Sequence, residues 1–346
     1  MSNLGQIVSA VQRNCDISDA RHAGDMTMCI FLMKMREYYR WENELPFSCA
    51  LPKEDVGEWL RDRERIWEDL ESSPFEPLPL SNGVTDPFNA DAANRELVPQ
   101  GYVYSAGYGR FSKPHFFLGD LQRRTQCNGF TVYVSSCEYA RDLEAPPAML
   151  LGDSIFVRQE SVRRFLWEKI EEWRFNRRNE AMNRALACYN YDDDADRALD
   201  QMTQNETDAM ILHELGEGHA ETLLGDEWAR MLRSLSRSKA EIIARAVRDL
   251  LADCHATLPG LAEIPRPASI HFYFANLTGM RRHLFPEALH AYRNWVDSGN
   301  MDELTRFADR YKDHWLTTAR EMLDLHARYG DDADEKIESM FDAKAA

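Results

Sequence analysis

The sequence predicts an α+β protein that is predominantly α, with N-terminal helices and a small antiparallel sheet followed by a C-terminal helical bundle. Three observations predict it. Apolar residues recur at helical spacing through most of the chain, short β-branched or aromatic runs punctuated by glycine crowd into one window between about 98 and 159, and almost everything after 160 is helical again. At 346 residues the chain suits two domains, and the change of texture near Gln159 divides it into 1–159, mixed, and 160–346, all-α.

The first segment, Met1 to Asn14, is polar and helix-like, and it lacks the charged start, apolar core and cleavage site of a signal peptide. From Asp16 to Glu44 one long helix is expected, with Ile17, Met28, Phe31, Leu32, Met35, Tyr38 and Tyr39 at helical spacings and Pro46 as its stop. A second helix begins at Pro52 and presents Val56, Trp59, Leu60, Trp67 and Leu70 before Pro74, Pro77 and Pro79 end it. The proline-rich stretch through Asn82, Gly83 and Pro87 is a connector.

Strands are expected at Tyr102–Tyr104, His115–Leu118, Phe130–Val134 and Ile155–Val157, and Asn128-Gly129 between two of them is a hairpin turn. Beyond Glu160 the helices read as 160–189, 206–235, 238–257, 286–296 and 301–329. Asp192-Asp193-Asp194-Ala195-Asp196 separates the first two; without the glycine and terminal glutamate of an EF-hand it reads as a helix-capping loop.

Composition narrows the function classes. With 41 Lys plus Arg against 58 Asp plus Glu, the net charge of −17 repels nucleic-acid phosphates, and the Arg174–Arg184 run is interleaved with Glu and Asn as an ion-paired helix face would be. Seven scattered cysteines without a CxxC pair suit reduced thiols in a cytoplasmic protein, and no apolar run approaches the ~20 residues of a membrane span. The expected partners are therefore neither nucleic acid nor membrane, which leaves another protein or a second copy of the chain.

The sharpest chemical signal is Ile211-Leu212-His213-Glu214-Leu215-Gly216-Glu217-Gly218-His219-Ala220-Glu221. Residues four apart are neighbours on a helix, so His213, Glu217 and Glu221 form a stripe flanked by Glu214. Zinc proteases place a second histidine where Glu217 stands, and His219 lies roughly 240° around the helix from His213, so the protease pattern is broken. A carboxylate-rich site shared between bundle helices suits a divalent ion, zinc, iron or manganese, and Glu287-Ala-Leu-His290 supplies the one Glu-x-x-His pair in the bundle. On this reading His213, Glu217, Glu221, Glu287 and His290 are metal ligands and Glu214 is the general base of a hydrolase or oxidoreductase. The alternative is a non-catalytic interaction or scaffold protein in which the same residues only pack and pair.

Weaker signals are the Met26, Met28, Cys29, Met33 and Met35 cluster, which has soft ligands for copper(I) but is also ordinary core filling, and Gly107-Tyr108-Gly109-Arg110 with Lys113 and His115, which resembles an anion cradle without matching a phosphate-binding motif. Cys127 and Cys137 stand as nucleophile candidates in the same half.

Taken together, Gly109-Arg110-Phe111-Ser112-Lys113-Pro114-His115-Phe116-Phe117, Asp153-Ser154-Ile155-Phe156-Val157-Arg158, His213-Glu214-Leu215-Gly216-Glu217 and Ile270-His271-Phe272-Tyr273-Phe274-Ala275-Asn276 resemble an uncharacterised bacterial protein family of unknown function. The resemblance spans most of the chain. It implies a mixed N-terminal part and a helical C-terminal part, and it brings no catalytic residues with it.

Overall fold

A computed structural model describes residues 4–109, 112–175, 178–235, 238–264 and 266–342. The chain separates into two compact units, 1–168 and 169–346, so the division falls nine residues beyond the expected 159, inside a helix rather than at the end of the last strand.

The first unit opens with α1 (Leu4–His22) and α2 (Met28–Glu42), where one long helix was expected from Asp16. A 3-10 turn over Ala23–Asp25 and extended backbone at Met26 and Thr27 break it, and the polar-looking N-terminus becomes the first half of α1, where Ile7 and Val11 are fully covered. α3 (Lys53–Leu70) packs near α2 through Met35, Tyr38 and Trp67. The methionines do not gather: Met35 is core, whereas Met28 and Met33 are 69% and 51% exposed.

A two-stranded antiparallel ribbon, β1 (Leu78–Leu80) with β2 (Gly83–Thr85), and the short α4 (Ala90–Leu97) fill the connector. The main sheet follows: β3 (Tyr102–Tyr108), β4 (Pro114–Cys127), β5 (Phe130–Arg141), β6 (Ala148–Leu151) and β7 (Ser154–Arg158), in the order β3-β4-β5-β7-β6. Its pairs are antiparallel except β5 with β7, which is parallel because β6 folds back onto the outer edge of β7 instead of separating it from β5. Asn128 and Gly129 form the predicted two-residue hairpin, both with positive φ (49° and 89°), the backbone that matches strand twist and that Asn-Gly tolerates best.

Side chains alternate across this sheet, so neighbours on β4 serve different cores. Phe116 and Leu118 meet Tyr104 and the Ile7, Val11 and Cys15 face of α1, while Phe117 packs with Val103, Tyr133 and Phe156 on the other side. Register shifts between Leu118 and Arg123 bend the β4–β5 pair. Beyond them Glu138 and Arg141 sit on the far end of β5, buried and close to the start of α5 (Gln159–Phe175).

The second unit is helical as expected: α6 (Glu180–Ala187), α7 (Ala195–Ser234, broken at Gly225), α8 (Lys239–Ala252), α9 (Leu258–Glu263), α10 (Pro267–Ala275), α11 (Gly279–Leu284), α12 (Pro286–Ser298), α13 (Met301–Tyr329) and α14 (Ala333–Asp342). Asp194 caps α7 by accepting the Arg197 N–H, which is the capping role read for the acidic loop. The 160–189 helix is in fact α5 and α6, separated by a segment that includes residues 176 and 177, outside the described residues.

Two local features position the site residues of this unit. Between α8 and α9 the chain makes a π-helical turn, Asp253–Thr257, which rotates Asp253 and Thr257 out of the α-helical phase. Gly216 lets α7 close onto that region: a Cβ built there would lie 2.4 Å from the Ala252 carbonyl oxygen, so close helix packing is the reason for a glycine inside this helix. No helix among the described residues is long and apolar enough to cross a membrane.

Candidate functional site

The α7 stripe meets the π-helical turn. His213 Nδ1 lies 2.9 Å from Asp253 Oδ1 and its Nε2 3.3 Å from Glu217 Oε1, so one imidazole is held between two carboxylates. Asp253 has no solvent exposure and accepts three more hydrogen bonds, from Thr257 Oγ1 (3.1 Å), Tyr273 Oη (3.0 Å) and Arg281 Nη1 (3.1 Å). On the other flank, Arg248 Nη2 donates to Glu217 Oε1 at 2.8 Å and to Asp249 Oδ1 at 3.1 Å.

Burial alone would discharge these groups, and the pairings decide otherwise. Burial lowers the proton affinity of His213, but hydrogen bonds to Asp253 and Glu217 outweigh it and hold the imidazole well above its usual range, so it is a cation at neutral pH. Glu217 is pulled down to about 2 because Arg248 and His213 overcome its burial. Asp253 is lowered against its burial chiefly by Arg281 and His213. Glu214, by contrast, is pushed up to about 8 by burial and by the Glu217 charge, and is neutral at pH 7. The cluster therefore sets His213, Arg248 and Arg281 against Glu217 and Asp253, while Asp249, raised by burial and by the Glu217 charge, is held by Arg248.

The expected ligands separate. His213 and Glu217 are together and Glu214 is buried beside them, but Glu221 is exposed, and Glu287 and His290 lie exposed on α12 with no hydrogen bond or ion pair to the cluster among the described residues. His219 faces His255, ring centroids 4.9 Å apart, on a different side of α7 from His213. Among the described residues no group of three or more His, Cys, Asp or Glu side chains is disposed to hold a metal ion.

Glu214 gives a pH prediction. Its folded-state pKa lies above the unfolded value near 4.5, so the folded protein holds a proton that the unfolded chain releases, and stability falls as pH rises from about 4.5 to 8. Glu214→Gln keeps the shape without the titration. Unfolding free energies from denaturant titration are expected to match wild type at pH 4 to within ~0.5 kcal/mol and to exceed it by a few kcal/mol at pH 9, at about 1.4 kcal/mol per pKa unit.

A second site was not legible in the sequence. In the first unit a cavity of about 1190 Å³ is walled by α1, α2, the 44–47 turn, the end of β5 and the start of α5, including Trp41, Phe47, Glu138, Arg141, Glu160 and Arg164. Its volume slightly exceeds the roughly 300–1,000 Å³ of ordinary small-molecule sites, and it mixes aromatic walls with a few buried charges. Glu138 is fully covered and accepts from Arg158 Nη2 (2.8 Å), the Ser161 N–H (3.0 Å) and Ser161 Oγ (2.6 Å), which caps α5. Glu160, whose Oε2 accepts the Glu138 N–H at 2.6 Å, is raised by burial and by the Glu138 charge.

The other half-signals resolve as structure. His115 Nδ1 sits 3.1 Å from buried Asp142, and Lys113 Nζ donates to Asp19 at 2.9 Å, so both of these cationic candidates are held by carboxylates of the chain; Arg110 lies outside the described residues. Burial and the carboxylate beside it push Cys137 up to about 11, the reverse of an activated thiol.

Two family models match the chain, the N-terminal and C-terminal domains of a family of unknown function (DUF6866), over residues 6–158 and 163–344. The chain belongs to that family. The DUF6866 models meet at 158/163, close to the expected domain boundary, and the cavity lies almost wholly within the N-terminal match while the His213 cluster lies in the C-terminal one. No curated protein and no solved structure matches.

Proposed function

We propose that this DUF6866 protein binds a small molecule in the cavity of its N-terminal unit, and that the His213 cluster is a structural clamp of the C-terminal unit. The cavity carries the reading: an open cleft of about 1190 Å³ that sets aromatic walls beside buried, charged side chains has the size and mixed lining of a small-molecule site. In that cluster His213, Arg248 and Arg281 already pair with carboxylates of the chain itself. Screening the full chain against a small-molecule library by thermal shift is expected to yield ligands that raise Tm in a concentration-dependent way. A library of broad chemistry that leaves Tm unchanged throughout overturns the reading.

A metal-dependent enzyme centred on His213 and Glu217 is the second reading. One observation favours it: Asp253 on Nδ1 is the carboxylate that commonly orients a ligating histidine. Arg248 would have to leave Glu217 for a zinc, iron or manganese ion to enter. Elemental analysis of untagged protein beside a His213→Ala, Glu217→Ala double variant decides; near-stoichiometric metal lost in the variant supports this second reading, and protein that stays empty after reconstitution sinks it.

A further inference from the structure

Two arginines of the cavity lack what buried cations require. Arg141, on β5, is 1% exposed, its Nε has no hydrogen-bond partner among the described residues, and its Nη2 reaches the Glu37 carbonyl only at 3.4 Å. What holds it is stacking, with the guanidinium carbon 4.7 Å from the Trp41 ring centroid and 5.5 Å from that of Tyr38. Arg164, on α5, is 4% exposed; neither its Nε nor its Nη1 has a hydrogen-bond partner among the described residues, its Nη2 donates to the Glu144 and Ala145 carbonyls, and its ion pair with Glu168 is long at 3.7 Å.

The nearby carboxylates are already engaged. Glu37 takes Arg36 and Arg40, Asp16 takes Arg63, and Glu138, which attracts Arg141 electrostatically, gives its hydrogen bonds to Arg158 and the α5 N-terminus. Burial and the repulsion of Arg164 bring the Arg141 pKa down to about 10, the mark of a cation short of counter-charge. Proteins pair or solvate buried charge, and an arginine left short of partners beside a cavity is a cost that an anionic ligand removes.

On the ligand-binding reading above, we infer that the cavity takes a small monocarboxylate, its carboxylate at Arg141 and Arg164 and its apolar body against Trp41, Leu45 and Phe47. Guanidinium forks match carboxylate geometry, and a single negative charge suits a wall that also carries Glu160 and Glu44; a phosphate, with nearly two charges, meets more repulsion there.

Calorimetric titration of the full chain tests it with acetate, butyrate, octanoate, benzoate and phenylacetate, each beside its neutral primary amide, and with inorganic phosphate. At least one carboxylate is expected to bind ten-fold or more tightly than its amide and than phosphate. Arg141→Met should weaken that carboxylate at least ten-fold while leaving Tm unchanged or higher, because the variant removes a poorly partnered buried charge; Arg141→Lys should fall between. If Arg141→Met does not fold, Arg164→Gln is expected to weaken binding by the same criterion. Amides that bind as tightly as acids, tighter phosphate, or variants with wild-type affinity overturn the inference. Silence from every carboxylate overturns it too, and the thermal-shift library then separates the cases: neutral or cationic hits leave the binding reading standing, and none removes both.

Discussion

Replacing Asp253 with alanine is expected to destabilise the C-terminal unit by ~3–5 kcal/mol, the range for breaking a buried ion pair and leaving its partners uncompensated. Asp253 gathers four donors from four places: His213 on α7, Thr257 in its own π-helical turn, Tyr273 on α10 and Arg281 on α11. Without it two cations and a buried phenol lose their acceptor together, and His219→Ala, a partly exposed control on the same helix, should cost much less. Chemical unfolding of the full chain, followed by circular dichroism, reads the difference. The cluster also fixes a pH window. His213, raised above its usual 6.5, contributes stability that is complete below about pH 6.5 and is lost as pH rises through its folded-state value; Asp253, lowered below its usual 3.8, contributes stability present above about pH 3.8 and lost under more acid conditions. Asp253→Ala should flatten both limbs.

In the N-terminal unit Glu138→Ala is expected to cost a similar ~3–5 kcal/mol, and for the opposite reason to the Arg141 variants. Glu138 satisfies Arg158, itself 3% exposed, and caps α5 through Ser161, so removing it strands one guanidinium, leaves Arg141 with still less counter-charge and frees a helix N-terminus. Burial would raise the Glu138 carboxyl, but Arg158 and Arg141 outweigh burial and hold it below its usual value of 4.5, so its contribution is present above about pH 4.5 and fades in acid. Glu138→Ala losing stability while Arg141→Met does not would show that the cavity has cation to spare. Equal losses in both would mean that Arg141 is an ordinary structural partner.

Local pattern carried much of the fold into the sequence. The apolar spacing of 301–329 and the Asn128-Gly129 turn reappear where they were read, because both depend on neighbours in the chain. What escaped depends on distant contacts. The stretch before Asp16 looks polar, yet Ile7, Val11 and Cys15 fall on one face of α1 and cover β4. The parallel β5–β7 pair follows from where β6 docks, which no local signal encodes. Likewise the His213–Glu217 stripe was legible as i, i+4 spacing, whereas its main partner, Asp253, is forty residues away and is aimed by a π-helical turn in a run that reads as regular helix. Arg248 and Asp249 stood in plain view as charges among the apolar residues of the helix read over 238–257. Arg141 and Arg164 offered nothing to distinguish them from other arginines; only burial and missing partners mark them.

The central claim is that the N-terminal cavity is where this protein meets its ligand, and hydrogen–deuterium exchange of the full chain with and without the tightest carboxylate from the titration tests it most directly. Exchange is expected to slow in segments 37–47, 137–142 and 160–166, which wall the cavity, with 207–221 and 248–257 unchanged. Protection confined to 207–221 and 248–257, or none near the cavity at saturating ligand, would contradict the account and return the His213 cluster to the centre of it.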